Sequence, residues 1–171
     1  MRHNGFSIVE MLIVIAIAGI LAGLAIAGFT GFSKKYNVDN ETREIYSDLM
    51  NVRIMAMNKN RTHFVTLSAN SYTAYDDTDP APNGDGTLTV GSDAVALSQK
   101  TLSAPKYLPI TWSGSAQLEF NSRGLSTTPN TLCIYSNVQP FYDCVKVSST
   151  RIIIGKLIAQ GVCSADNCQS K

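Results

Sequence analysis

The sequence predicts an α+β protein: one long N-terminal helix, apolar in its first half and amphipathic in its second, packed on an antiparallel β-sheet domain. Three observations carry this reading. Met11 to Ser33 is a run of 23 residues without a formal charge. Val38, Ile45, Leu49, Val52 and Ala56 then recur at spacings of 7, 4, 3 and 4, which places them on one helical face. Beyond Arg61, short apolar or alternating runs come at regular intervals, punctuated by Gly, Pro, Asn and Ser.

The first half of the helix behaves as a membrane segment. At about 1.5 Å per residue it reaches roughly 35 Å, enough for a hydrocarbon core of about 30 Å. A secretory signal peptide has a shorter apolar core with a small-residue cut site after it. A buried soluble helix seldom runs so long without a polar face. Glu10 distinguishes the segment from an ordinary anchor. A carboxylate this close to an apolar run is unfavourable, so its presence points to a partner cation. Charge alone does not orient the segment: Arg2 precedes it, while Lys34 and Lys35 follow.

The second half opposes the apolar stripe with Asn40, Glu41, Glu44, Asp48 and Asn51. Asn37 to Asn40 is a soft point, and the break falls near Asn58-Lys59-Asn60. Met50, Met55 and Met57 read as core filler. Strands are expected at Val65–Leu67 and Tyr72–Tyr75, around a turn at Ser68–Ser71. Further strands are expected at Leu88–Val90, Val95–Leu97, Leu108–Trp112, Gln117–Phe120, Leu132–Tyr135, Cys144–Val147 and Arg151–Ile154.

Composition bounds the remainder. The chain has 171 residues, room for one ordinary domain, and a formal net charge of +1. So small a net charge gives no bulk field for nucleic acid or anionic lipid. All four cysteines, Cys133, Cys144, Cys163 and Cys168, lie in the last 39 residues. An even, clustered count behind an export signal reads as two disulfides formed in an oxidising compartment. Three pairings exist; the sequence-neighbour one, Cys133–Cys144 with Cys163–Cys168, closes short loops and is preferred. A four-thiolate zinc site fits less well, because the spacings are not those of C-x2-C knuckles.

The stretch Gly5-Phe6-Ser7-Ile8-Val9-Glu10-Met11-Leu12-Ile13-Val14-Ile15 resembles the class III signal of type IV prepilins and type II secretion pseudopilins. The resemblance implies cleavage between Gly5 and Phe6 by a dedicated prepilin peptidase that also N-methylates Phe6. It implies assembly into a filament through Glu10 and Phe6. On that reading residues 1–5 are a leader, 6–33 the transmembrane and assembly half of the helix, 34–60 its amphipathic half, and 61–171 the β region. Loss of the leader removes Arg2, so the 14 basic side chains fall to 13 against 13 acidic. The implied partners are other pilin subunits, the peptidase/N-methyltransferase, an inner-membrane assembly platform and membrane lipid. The implied location is the inner membrane before assembly and a periplasmic or surface filament afterwards. Many family members carry Pro where Ala27 stands, so any loosening here would rest on Gly28 and Gly31.

A looser likeness extends further. Leu49 to Leu67, the segment Leu118-Glu119-Phe120-Asn121-Ser122-Arg123-Gly124, and Arg151–Ile154 resemble stretches of FimT/GspH-type minor pilins. The expected function is that of a structural filament subunit. The alternatives are a DNA- or surface-binding minor pilin at a filament tip, or a pseudopilin of a type II secretion system.

Other motifs have blander readings. Asp76, Asp77, Asp79 and Asp85 gather in one loop, where calcium is conceivable, but no bidentate Glu closes it and a solvated loop is favoured. Neither a metal nor another cofactor is expected. His3 leaves with the leader, and His63 reads as a surface or core residue with no nucleophile motif around it. DNA-binding relatives carry Gly-Arg-x-Arg near the C-terminus; Gly155-Lys156-Leu157-Ile158 keeps only Lys156. Arg61 and Arg151 could extend a patch, but nucleic acid is not an expected partner. Phe29, Phe32 and Tyr36 share a helical face and are read as packing of the helical core rather than a stacking track.

Overall fold

The computed structural model describes residues 7–102 and 109–170, with the side chains of 25–30 outside the description. The chain divides into two units, 1–34 and 35–171. One helix, α1 (Ile8–Lys59), contributes to both. Ser7 caps it: its Oγ accepts from the Val9 N–H at 3.3 Å, and its carbonyl accepts from Glu10 and Met11. No break occurs at Asn37–Asn40. The helix stops at Asn60, which takes φ 52°, a left-handed conformation that Asn tolerates better than most residues. Asn60 N–H bonds the Met57 carbonyl and Arg61 N–H the Ala56 carbonyl, a Schellman closure.

In the second unit the predicted stripe is the buried one: Val38, Ile45, Leu49, Val52 and Ala56 are each at most 2% exposed. They share one core with residues from two antiparallel sheets, where the sequence reading had one. The first sheet is ordered β3-β2-β1-β5, from β1 (His63–Ser68), β2 (Ser71–Asp76), β3 (Ala94–Thr101) and β5 (Gln117–Phe120). The second is β4-β6-β7-β8-β9, from β4 (Ile110–Trp112), β6 (Asn130–Ile134), β7 (Cys144–Val147), β8 (Ile152–Leu157) and β9 (Cys168–Ser170). Val65, Leu67, Ala74, Leu118 and Phe120 enter the core from the first sheet; Ile110, Leu132, Ile134, Val145, Val147 and Ile152 enter it from the second.

The chain crosses between sheets at Ser113–Ala116, which the sequence presents as a simple turn. Buried Asn130 staples the corner. Its Oδ1 accepts from Gly114 N–H (3.0 Å) and Thr131 N–H (2.8 Å), and its Nδ2 donates to the Ser115 carbonyl (2.6 Å). The expected strand at Leu88–Val90 does not form. Thr89 N–H goes to Asp93 Oδ2 at 2.8 Å, and Ser92 and Asp93 N–H close a turn on the Thr89 carbonyl. Glu41, placed on the polar face, is buried; Met50 and Met55 pack on the core, while Met57 is 41% exposed. Met57 and Arg53 instead support Gly124 (φ 71°), where an added Cβ would lie 2.7 Å from the Met57 sulfur.

Both disulfides differ from the preferred pairing. Cys133 bonds Cys163, and Cys144 bonds Cys168. Cys133 and Cys144 are register partners on adjacent strands, as expected of a β6–β7 hairpin, but each reaches out to the C-terminal segment. That segment lies over the second sheet, where the cysteines, Leu157 and Tyr135 form a small separate apolar cluster. The bonds clasp this segment to the sheet rather than close short loops. Gly155 is needed at the crossing: a Cβ there would collide with the Gln169 carbonyl oxygen and lie 2.8 Å from its carbon. Because that obstacle is backbone, Gly155→Ala should destabilise the fold by about 1–3 kcal/mol in a denaturant titration.

Candidate functional site

Among the described residues, the first unit presents an apolar helix with its large side chains exposed. Ile8 is 81% exposed, Leu12 62%, Ile15 64%, Ile20 65% and Leu24 70%, and together with exposed Val9, Met11, Val14 and Leu21 they go all the way round the helix. Glu10, an exposed residue, stands in the first turn. It is three residues after the capping Ser7, the spacing of a capping box, in which an N3 acid supports the helix start. Sequence reading singled out Glu10 and passed over Ser7, although the S-x-x-E spacing was there to be read. Gly5 and Phe6, the predicted cleavage pair, lie outside the described residues. Among the described residues no helix is long and apolar enough to cross a membrane. Of the predicted aromatic face, Phe32 and Tyr36 are exposed on this chain.

The second unit shows where the polar candidates went. Arg61 donates to Asp76 Oδ2 (2.8 Å) and to the Pro82 carbonyl (3.0 Å), so it is committed internally rather than offered to a phosphate. Lys59 reaches the same oxygen at 2.9 Å. His63 is fully buried behind them, its Nε2 3.8 Å from Asp76 Oδ1, and burial holds its pKa below the usual imidazole range. His63 is thus a core residue.

The acidic loop is built rather than merely solvated. Asp77 is 2% exposed and accepts from Asp85 and Gly86 N–H. Burial raises its pKa despite those donors. Asp93 accepts from Thr78, Asp79 and Thr89 N–H, and these bonds outweigh burial to hold its carboxyl below the usual range. Backbone donors thus engage the carboxylate oxygens of Asp77 and Asp93. Among the described residues no group of three or more acids, histidines or cysteines is placed to hold a metal.

Comparison with known proteins follows the same division of the chain. The prokaryotic N-terminal methylation motif matches residues 1–26. The family described as type II transport protein GspH matches residues 41–151, well over half the chain. A search of curated proteins found no match. Among solved structures, the minor pseudopilin EpsH from the type II secretion system of Vibrio cholerae is similar, with a TM-score of 0.52 at 14% identity over 71% of this chain and 97% of that one. The type IV minor pilin FimU of Pseudomonas aeruginosa aligns with a TM-score of 0.53 at 18% identity, covering 78% and 97%. At such identities these likenesses speak for the fold. The chain belongs to the family of the type II transport protein GspH, and is a type IV pilin-like structural subunit.

Proposed function

We propose that the chain is made as a membrane-anchored precursor, cut between Gly5 and Phe6, and built into a type II secretion pseudopilus through the N-terminal half of α1. The observation that carries this reading is the presence in one chain of the methylation motif over 1–26 and the GspH match over 41–151. The exposed apolar helix fits it, since such a surface is stable only in a bilayer or among other helices. The precursor spans the inner membrane once. Its partners are other pilin-like subunits, the peptidase/N-methyltransferase and the assembly platform.

Glu10 supplies the assembly contact in this reading. Cleavage frees an α-amine at Phe6. In a stack of apolar helices, one chain's Glu10 neutralises the neighbour's amine, and two groups that are each unfavourable alone become tolerable together. The capping-box position gives a competing, intrachain role, and substitutions separate the two. Glu10→Gln keeps an acceptor at the helix start but loses the charge; Glu10→Leu loses both. Processing should continue in both variants, with Phe6 found by mass spectrometry as the methylated terminus. The fraction of processed subunit in sheared filaments, relative to membrane, should fall about tenfold or more in both, the scale of losing one partner of a buried pair. A drop confined to Glu10→Leu would assign Glu10 to helix capping. Unchanged incorporation in both would remove it from assembly.

A further inference from the structure

The second unit carries arginines that its own fold does not use. Among the described residues of this unit, Lys59 and Arg61 are committed to Asp76, and Lys100 to Glu44. The Arg43 guanidinium lies on the Tyr142 ring, and Lys146 donates to the Ala165 carbonyl. Arg53, Arg123 and Arg151 have no carboxylate within ion-pair reach, and each is at least partly exposed. Glu119, four residues before Arg123, makes no ion pair with it. Arg53 Nε is buried with no acceptor, so this cation gains nothing inside the fold.

The topology gathers these three side chains around one turn. Arg53 and Met57, one helical turn apart on α1, lie against Gly124, where an added Cβ would stand 3.3 Å from Arg53 Nε. Arg123 belongs to the same turn. Ser126, just beyond it, donates its N–H to the Ser149 carbonyl at 2.9 Å. The Arg151 carbonyl accepts the Ser148 N–H at 2.8 Å, so the turn that carries Arg151 runs alongside. The central turn is braced. Asn121 Oδ1 accepts from the Arg123 N–H (2.9 Å) and the Leu125 N–H (3.0 Å), and the Asn121 carbonyl accepts from the Gly124 N–H (2.8 Å). A contact made there loses little backbone freedom.

The composition of the patch indicates its partner. Ile54 is 44% exposed and Met57 41%, three residues apart and beside Arg53 on the helix. Arg and Met are enriched at protein–protein interfaces. A nucleic-acid site combines a positive groove with aromatic platforms for the bases, whereas this patch has no aromatic member and the chain a net charge of +1. Guanidinium groups without an acid of their own match carboxylates, which they bind with two parallel hydrogen bonds. A protein surface supplies both the carboxylates and the apolar contact.

We propose that Arg53, Arg123 and Arg151, with Ile54 and Met57, form the surface that receives carboxylates of a neighbouring pilin-like subunit. The proposal rests on the filament reading above and adds to it a contact separate from Glu10.

The test uses the processed chain in assembled filaments and a carbodiimide, which joins a carboxylate to an amine with loss of water and does not couple guanidinium. Arg53→Lys and Arg123→Lys keep the charge and supply the amine. Peptides carrying position 53 or 123 should be recovered joined to an Asp or Glu of another subunit. Their yield should fall about threefold between about 0.1 M and about 1 M salt. Arg53→Gln with Arg123→Gln should lower incorporation into filaments about threefold. Glu at both positions should lower it about tenfold or more, because like charges then face each other. The denaturant midpoint of the detergent-dispersed variants should match that of the wild type. Filaments that contain the Lys variants but yield no such peptide would overturn the contact. So would the same joined peptides from detergent-dispersed chain, which would assign the arginines to an acid of their own chain. A midpoint that falls together with incorporation would assign them to stability instead. Binding to a short DNA duplex that the double Gln variant loses, with incorporation unchanged, would overturn the protein contact in favour of nucleic acid. A wild-type chain absent from filaments would overturn the filament reading and this proposal with it.

Discussion

Cleaving the oxidised chain both on the N-terminal side of aspartate and after Lys and Arg should release Cys133 joined to Cys163 and Cys144 joined to Cys168. Asp143 separates the first two cysteines, Lys146, Arg151 and Lys156 separate Cys144 from Cys163, and Asp166 separates the last two, so the combined digest distinguishes all three pairings. Cleavage at Lys and Arg alone would not, because no basic residue lies between Cys133 and Cys144, or between Cys163 and Cys168. The bonds close sequence separations of 30 and 24. In the chain-entropy picture each contributes about 3.5 kcal/mol, against roughly 2–3 kcal/mol for the shorter loops of neighbour pairing. Together they approach the whole stability of an ordinary domain, about 5–15 kcal/mol. Reduction, or Cys→Ser at both members of either pair, should lower the denaturant midpoint steeply. The C-terminal segment should then exchange amide hydrogens first, since the clasp holds it over Leu157 and Tyr135. Recovery of a Cys133–Cys144 peptide from native protein would overturn the clasp.

The helix and most strands were legible because their signals are local. The 7-4-3-4 stripe is the buried face of α1, and Gln117–Phe120 and Cys144–Val147 are strands with the expected bounds. Phe120 and Gly124 in the family-like segment owe their identities to burial and to the Met57 contact. What was missed depends on partners distant in sequence. β9 has three residues, Cys-Gln-Ser, with little strand preference, and forms because the clasp brings it beside β8. Leu88–Val90 has strand-like residues, but Asp93 takes the Thr89 N–H that a ladder would need. Gly155 looked like part of a degraded nucleic-acid motif; its role is steric, set by backbone fourteen residues away. The pairing choice weighed loop length alone and could not see that the C-terminal segment crosses the second sheet. The GspH match ends at residue 151, before that segment begins. At the assembly site the reverse holds: Glu10 and the cleavage pair stand out in sequence because they break an apolar run or border it.

Acid should weaken the fold through His63, and Asp76 should limit how far. Asp76 is 2% exposed at the end of β2, opposite His63 in register. It gathers Lys59 from the helix end, Arg61 from the closure that follows, and His63 from β1. Burial lowers the His63 pKa from 6.5, and the Asp76 charge acts against that shift. The sign follows: the unfolded chain takes up the proton first. His63 therefore favours the fold fully above about pH 6.5, and this contribution is lost as pH falls from there through the folded pKa. The loss is at most about 1.4 kcal/mol per pH unit. His63→Leu should flatten this limb of the midpoint-versus-pH curve. Asp76→Ala should do two things at once. At neutral pH it should destabilise by about 3 kcal/mol, because Arg61 loses its carboxylate while still largely enclosed. Below pH 6.5 its acid limb should extend further than that of the wild type, since nothing then offsets the cost of charging His63. Midpoints measured on detergent-dispersed protein between about pH 5 and 8 span the range in which an ordinary imidazole titrates. If His63→Leu leaves the slope unchanged, His63 is not the titrating group. If Asp76→Ala shifts the curve without extending its acid limb, the carboxylate holds Lys59 and Arg61 in place but does not act on the imidazole 3.8 Å away.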